Sequence, residues 1–202
     1  LISTLAWSDP IVYQQWTALT HAERLYMRVP FWHLAVSSRG ACFQRIVREM
    51  DALSSEHYVC DAAPAKAVNG RNLSESERPY DWLRIKDGVC NRVEAKSACF
   101  QWDASRQRWS LRFHNVKLEE LDILILIVYA PWGLHVWEYD LAKKVGMSTN
   151  GRRTSTSGRQ VIFCGIAKCS SVEHAWTSAM RPRLESAATP RAELGWGHPI
   201  VR

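Results

Sequence analysis

An α/β domain, with a mixed sheet flanked by helices at both ends of the chain, is what the sequence predicts. Three observations carry that expectation. Two amphipathic helical stretches precede any strong strand signal, five strand-like runs crowd between residues 81 and 140, and a further helical pattern occupies about 171–186. The 202 residues, 47% hydrophobic and 23% charged, suit a single domain over 1–202 with a sizeable core, and there is no collagenous, mucin-like or disordered bias.

Helices are expected over about 9–53. Ser8, Asp9 and Pro10 form a helix start, and Ile11, Val12, Trp16, Leu19, Leu25 and Tyr26 follow the helical period with a break near Thr20. From Arg39 to Leu53, the residues Phe43, Ile46, Val47, Met50 and Leu53 make one apolar stripe. The stretch 54–79 reads as loop with a short strand at Tyr58–Cys60. A sheet core is expected over about 80–165, with strands near 81–86, 89–97, 108–114, 122–129 and 134–140, a polar basic loop "STNGRRTSTSGRQ", and a short strand "VIFCG". The tail 187–202 reads as irregular.

Asp87-Gly88, set between two strand-like runs, is the strongest short-range hairpin signal, because a two-residue primed turn needs positive φ at both central positions. That turn fixes the register: Lys86 faces Val89, and Asp81 falls opposite Glu94 with Cβ atoms roughly 5 Å apart. Glu94 and Lys96 then share a face, while Val93 and Ala95 point into the core. Two facing carboxylates repel unless a cation lies between them, so the arrangement points to a magnesium site. Lys96 stands on the same face, where its ammonium could hold or help deprotonate a water.

Asp81, the hairpin and Glu94-Ala95-Lys96 together resemble the motif of the PD-(D/E)xK nuclease superfamily, which includes type II restriction endonucleases. "SSRGACFQRIV" resembles the helix before the catalytic hairpin, "VEAKSA" the motif strand and "DILILIVYA" the apolar strand that follows, so the likeness covers residues 37–140. Pro79, Tyr80 and Asp81 stand where the family's leading Pro-Asp would be, and Gln44 where many members carry an acid. The resemblance implies a restriction-endonuclease-like fold and Mg²⁺-dependent hydrolysis of DNA, with Mn²⁺ as a substitute. Asp81, Glu94 and the main-chain carbonyl of Ala95 would hold the metal, Lys96 would orient the attacking water, and Gln44 could reach a metal-bound water. The alternative is a nuclease-derived fold without catalysis, serving as a nucleic-acid-binding or structural subunit.

The net charge of +6 favours a polyanionic partner such as DNA, although solubility alone accounts for a charge of this size. Arg152, Arg153 and Arg159 could clamp phosphates or belong to a solvated loop. Arg108 and Arg112, with Arg106 and Lys117, follow the motif strand and either border the same cleft or mark an exposed strand face. A homodimer is compatible with this class. Six scattered cysteines without a CxxC pair indicate neither a zinc site nor a secreted disulfide framework, and an intracellular location is expected. The run "ILILIVYAPWGLHVW", broken by Pro131 and Gly133, is too short to span a bilayer. The chain opens at Leu1 without Met, which reads as a processed or partial chain. Histidines are dispersed, and no GxSxG, Walker A or GxGxxG is present, which argues against the hydrolase elbow, NTPase and dinucleotide classes.

Overall fold

A computed structural model describes residues 21–27, 29–61, 80–116, 121–142, 147–148, 161–169 and 171–196. Among these residues two helices come first, α1 (His21–Tyr26) and α2 (Val36–Ala52). Eight strands follow: β1 (Tyr58–Asp61), β2 (Trp82–Lys86), β3 (Val89–Asp103), β4 (Arg108–Val116), β5 (Ile123–Ala130), β6 (Gly133–Tyr139), β7 (Met147–Ser148) and β8 (Val161–Ala167). The chain then runs through α3 (Val172–Ala175), a π-helical turn at Trp176–Met180 and α4 (Arg181–Ala187), and ends in β9 (Ala188–Gly195). The helix start at Ser8–Pro10, Trp16 and the basic loop with Arg152, Arg153 and Arg159 lie outside the described residues.

The strands form one mixed sheet of order β7-β8-β4-β3-β5-β6-β9, and β1 and β2 extend it from β3. Only β3 and β5 run parallel among the described pairs. Asp87 and Gly88 adopt φ of 51° and 78°, which is the primed turn the sequence calls for. The ladder above it runs from Lys86↔Val89 to Trp82↔Val93, in the expected register. At 15 residues, β3 is much longer than the sequence suggests. Its first part pairs with β2, its last part, Phe100–Asp103, with β4, and Val93–Cys99 with β5. Among the described strands, residues 94–99 of β3 therefore have a partner on one side only, β5.

Alternation along the strands divides the interior into two cores. On one face Ala98, Phe100, Leu124, Leu126, Val128, Trp137 and Tyr139 lie beneath Val172, Trp176, Met180 and Leu184, and Trp109, Leu111 and Phe113 of β4 join them. On the other, Trp82, Val93, Ala95, Ile125, Ile127 and Tyr129 are covered by Tyr26, Phe43 and Val47. The stripe that α2 buries is Arg39, Phe43, Val47 and Asp51, at a spacing of four. Leu53, expected on that stripe, lies just past the helix and is 87% exposed.

The tail departs from expectation. Residues 188–195 form an edge strand on β6, with an extra residue, Arg191, between the pairs Val136↔Ala192 and Trp137↔Pro190. A strand with a single neighbour tolerates Pro190, and a Cβ at Gly133 would lie 2.3 Å from the Leu194 carbonyl oxygen, so only glycine admits β9 this closely.

Tyr26 splices the sheet where the β3–β5 ladder ends at Cys99↔Tyr129. Its hydroxyl donates to the Tyr129 carbonyl (2.7 Å) and accepts from the Phe100 N–H (3.2 Å). Burial pushes the pKa of that hydroxyl well up, so it stays protonated and keeps donating. Tyr26→Phe leaves two buried main-chain groups without this partner, and a loss of about 1–3 kcal/mol is expected in urea denaturation. A change within error would show that water takes the hydroxyl's place.

Candidate active site

The hairpin brings Asp81, Glu94, Ala95 and Lys96 together. Asp81 sits in a bend one residue before β2, and its N–H donates to the Val93 carbonyl at 2.8 Å, so it continues the register that sets it against Glu94. Its carboxylate turns to the neighbouring strand and accepts the Ala95 N–H through Oδ2 at 2.8 Å. Glu94 is buried on the face away from Val93 and Ala95, and its Oε1 is ion-paired with Nζ of Lys96. The repulsion between the facing carboxylates is thus offset within the chain, by a peptide N–H on one and an ammonium on the other.

Next to this group Arg92 clamps β3 to the start of β5. Its Nε and NH2 each lie 2.9 Å from the two oxygens of Asp122, and its main-chain N–H adds a bond of 2.8 Å. Those bonds to Arg92 hold the Asp122 carboxyl below the usual carboxylate range.

The other expected residues are placed differently. Gln44 is carried by α2, whose buried side chains pack on the sheet face opposite to Glu94 and Lys96. Arg108 pairs with Asp103, nine residues along β3 from Glu94, and its Nε lies 3.5 Å from Asp103 Oδ2. Arg112 stands opposite Cys164 on β8 and alternates away from Leu111 and Phe113, which puts it on the other sheet face from Lys96. The buried Nε atoms of both arginines have no hydrogen-bond partner among the described residues. The structure does not bring them to the Glu94–Lys96 group.

Trp82, next to Asp81, points to the opposite face and is fully buried. It belongs to a network that sequence reasoning missed. Asp51, in the last turn of α2, accepts four hydrogen bonds: from His57 Nε2 (3.0 Å), Trp82 Nε1 (2.9 Å), Arg84 Nε (3.0 Å) and Arg84 NH2 (2.7 Å). Arg84 NH1 also donates to Glu138 on β6 at 2.9 Å. Burial opposes the Arg84 charge, but the bonds to Asp51 and Glu138 outweigh it and raise its pKa. The available signal was an acid at the i+4 and i+8 positions of the Val47 and Phe43 stripe.

Two carboxylates and a peptide carbonyl are hard oxygen donors of the kind Mg²⁺ takes. An ionised carboxylate has about four lone-pair sites, so Asp81 can accept the Ala95 N–H and still ligate a cation. The residues therefore fit the ion the sequence points to. Among the described residues no group of three or more His, Cys, Asp and Glu is arranged to hold a metal, and this site would use only two such side chains. No described helix is long and apolar enough to cross a membrane. Five described cysteines, Cys42, Cys60, Cys90, Cys99 and Cys169, carry free thiols. Comparison with protein-family models, with curated proteins and with solved structures gives no match.

Proposed function

We propose that the chain is a PD-(D/E)xK-type, restriction-endonuclease-like nuclease that hydrolyses DNA phosphodiester bonds with Mg²⁺, Mn²⁺ being a substitute. The observation that carries the reading is the Asp81 carboxylate on the Ala95 N–H, with Glu94 and Lys96 flanking that peptide on β3. The helix α2 ahead of the hairpin and the parallel strand β5 beside β3 support the same organisation.

Asp81, Glu94 and the Ala95 carbonyl would hold the metal, which when bound polarises a phosphoryl oxygen and stabilises the leaving oxygen. The Ala95 N–H fixes the Asp81 carboxylate. Lys96 has three N–H donors, so it can keep Glu94 and orient a water in the same geometry. As the water oxygen bonds to phosphorus and the ester P–O bond breaks, the ammonium offsets charge on the pentacoordinate centre, and the proton lost by water goes to solvent. Arg152, Arg153 and Arg159 are the phosphate contacts in this reading.

A second reading, a non-catalytic nucleic-acid-binding or structural subunit, draws on the same pairings, because Glu94–Lys96 and Asp81–Ala95 compensate the site's charges without a metal. Incubating supercoiled plasmid and single-stranded DNA with the protein separates the two. Cleavage is expected with Mg²⁺ and none with EDTA, and Asp81→Asn is expected to lose metal binding and cleavage together. DNA binding without cleavage of any form, in Mg²⁺ or Mn²⁺, would establish the second reading.

A further inference from the structure

A carboxylate in the last turn of a helix opposes the helix dipole, and a buried one must recover its lost hydration from hydrogen bonds. Asp51 meets both costs, and its four bonds converge from the entry to β1 and from two alternate residues of β2. Those residues, Trp82 and Arg84, are the ones on the face turned away from the candidate site. Trp82 is also the last residue of the β2–β3 ladder, directly before which the chain bends at Asp81.

Asp81 thus hangs on a strand end, the part of a ladder that opens most readily. Its ties include the Val93 carbonyl, which accepts its N–H, and the Ala95 N–H, which donates to its carboxylate. We propose that Asp51, through the buried indole N–H of Trp82, acts as a positioning residue that holds the Asp81 carboxylate on the Ala95 peptide. Fixing the indole at 2.9 Å fixes the main chain of Trp82, and so the direction in which the preceding bend projects its carboxylate. The helix on one face of the sheet thereby sets a group on the other. The meaning of this for metal binding rests on the nuclease reading; the positioning itself does not.

Trp82→Phe keeps an apolar aromatic ring while removing the N–H together with part of the indole's volume, and Glu138→Gln serves as a control that weakens the same network at its far end. In Trp82→Phe, exchange of the Ala95 amide, followed by NMR, is expected to speed up by about tenfold, and the Mn²⁺ half-saturation concentration to rise by about tenfold. At saturating metal, cleavage should return to within about threefold of wild type, a split between affinity and turnover that mere loss of stability does not give. Glu138→Gln should leave both readouts in place. Trp82→Met gives the same comparison if Trp82→Phe does not fold. Unchanged Ala95 exchange in Trp82→Phe, or an equal change in Glu138→Gln, would overturn the proposal. If wild-type protein takes up no Mn²⁺, the nuclease reading falls, and Ala95 exchange still decides the positioning.

Discussion

Lys96→Ala is expected to slow DNA cleavage by about 10²- to 10⁴-fold, the usual range for removing a group that manages a proton or a developing charge. DNA affinity should stay nearly unchanged, since one cation among 26 Lys and Arg contributes little to binding a polyanion. Lys96 is ion-paired with Glu94 and shares with it the face of β3 on which Asp81 continues the register. Single-turnover nicking of plasmid measures the first quantity and fluorescence anisotropy at fixed salt the second. Lys96→Arg refines the result. A guanidinium keeps the charge but does not give up its proton near neutral pH, so recovery of activity would assign Lys96 an electrostatic role, and its absence a share in handling the water's proton. Cleavage by Lys96→Ala at the wild-type rate would remove Lys96 from the mechanism.

The largest effect on stability is expected from Asp51→Ala. The Arg84 side chain is 6% exposed and donates two of its three bonds in the network to Asp51. Truncating the acid leaves a buried guanidinium with Glu138 as its remaining anion and strands the Trp82 and His57 nitrogens. Removing one partner of a buried pair costs about 3–5 kcal/mol, roughly a fifth or more of the stability of a typical domain. Urea denaturation should show that loss, and a change below about 1 kcal/mol would mean that water reaches the network. The contrast with Tyr26→Phe is instructive, because there neutral hydrogen bonds are lost and no charge is stranded.

Where the chain announces its geometry locally, the sequence could be read. Asp87-Gly88 dictates a turn, the turn dictates a register, and the register places Asp81 against Glu94 and puts Lys96 beside Glu94; all of that information lies within 16 consecutive residues. The extent of β3 was hidden because the turn after it, Ala104–Gln107, contains neither Gly nor Pro, and Gln107 takes a φ of 48° that its residue type does not advertise. Strand β9 was hidden because its side chains are mostly exposed on both faces, which erases the alternation that marks a strand, and Pro190 points against one. The Asp51 network is long-range: Arg84 is 33 positions from Asp51 and Glu138 is 54 from Arg84. Helical spacing puts Asp51 on a buried stripe, but only the packing of α2 on the sheet brings Trp82 and Arg84 to it. The internal compensation of the site carboxylates was likewise out of reach, since it depends on which atom of each side chain meets which neighbour.

The length of β3 has a consequence for how the molecule comes apart. One continuous strand gives hydrogen bonds to β2, β5 and β4 in turn and lends its two faces to separate cores. Neither core can loosen without disturbing the backbone that borders the other. The two are coupled through shared covalent geometry, so a single cooperative unfolding transition is expected, with far-UV circular dichroism and tryptophan fluorescence giving coincident curves.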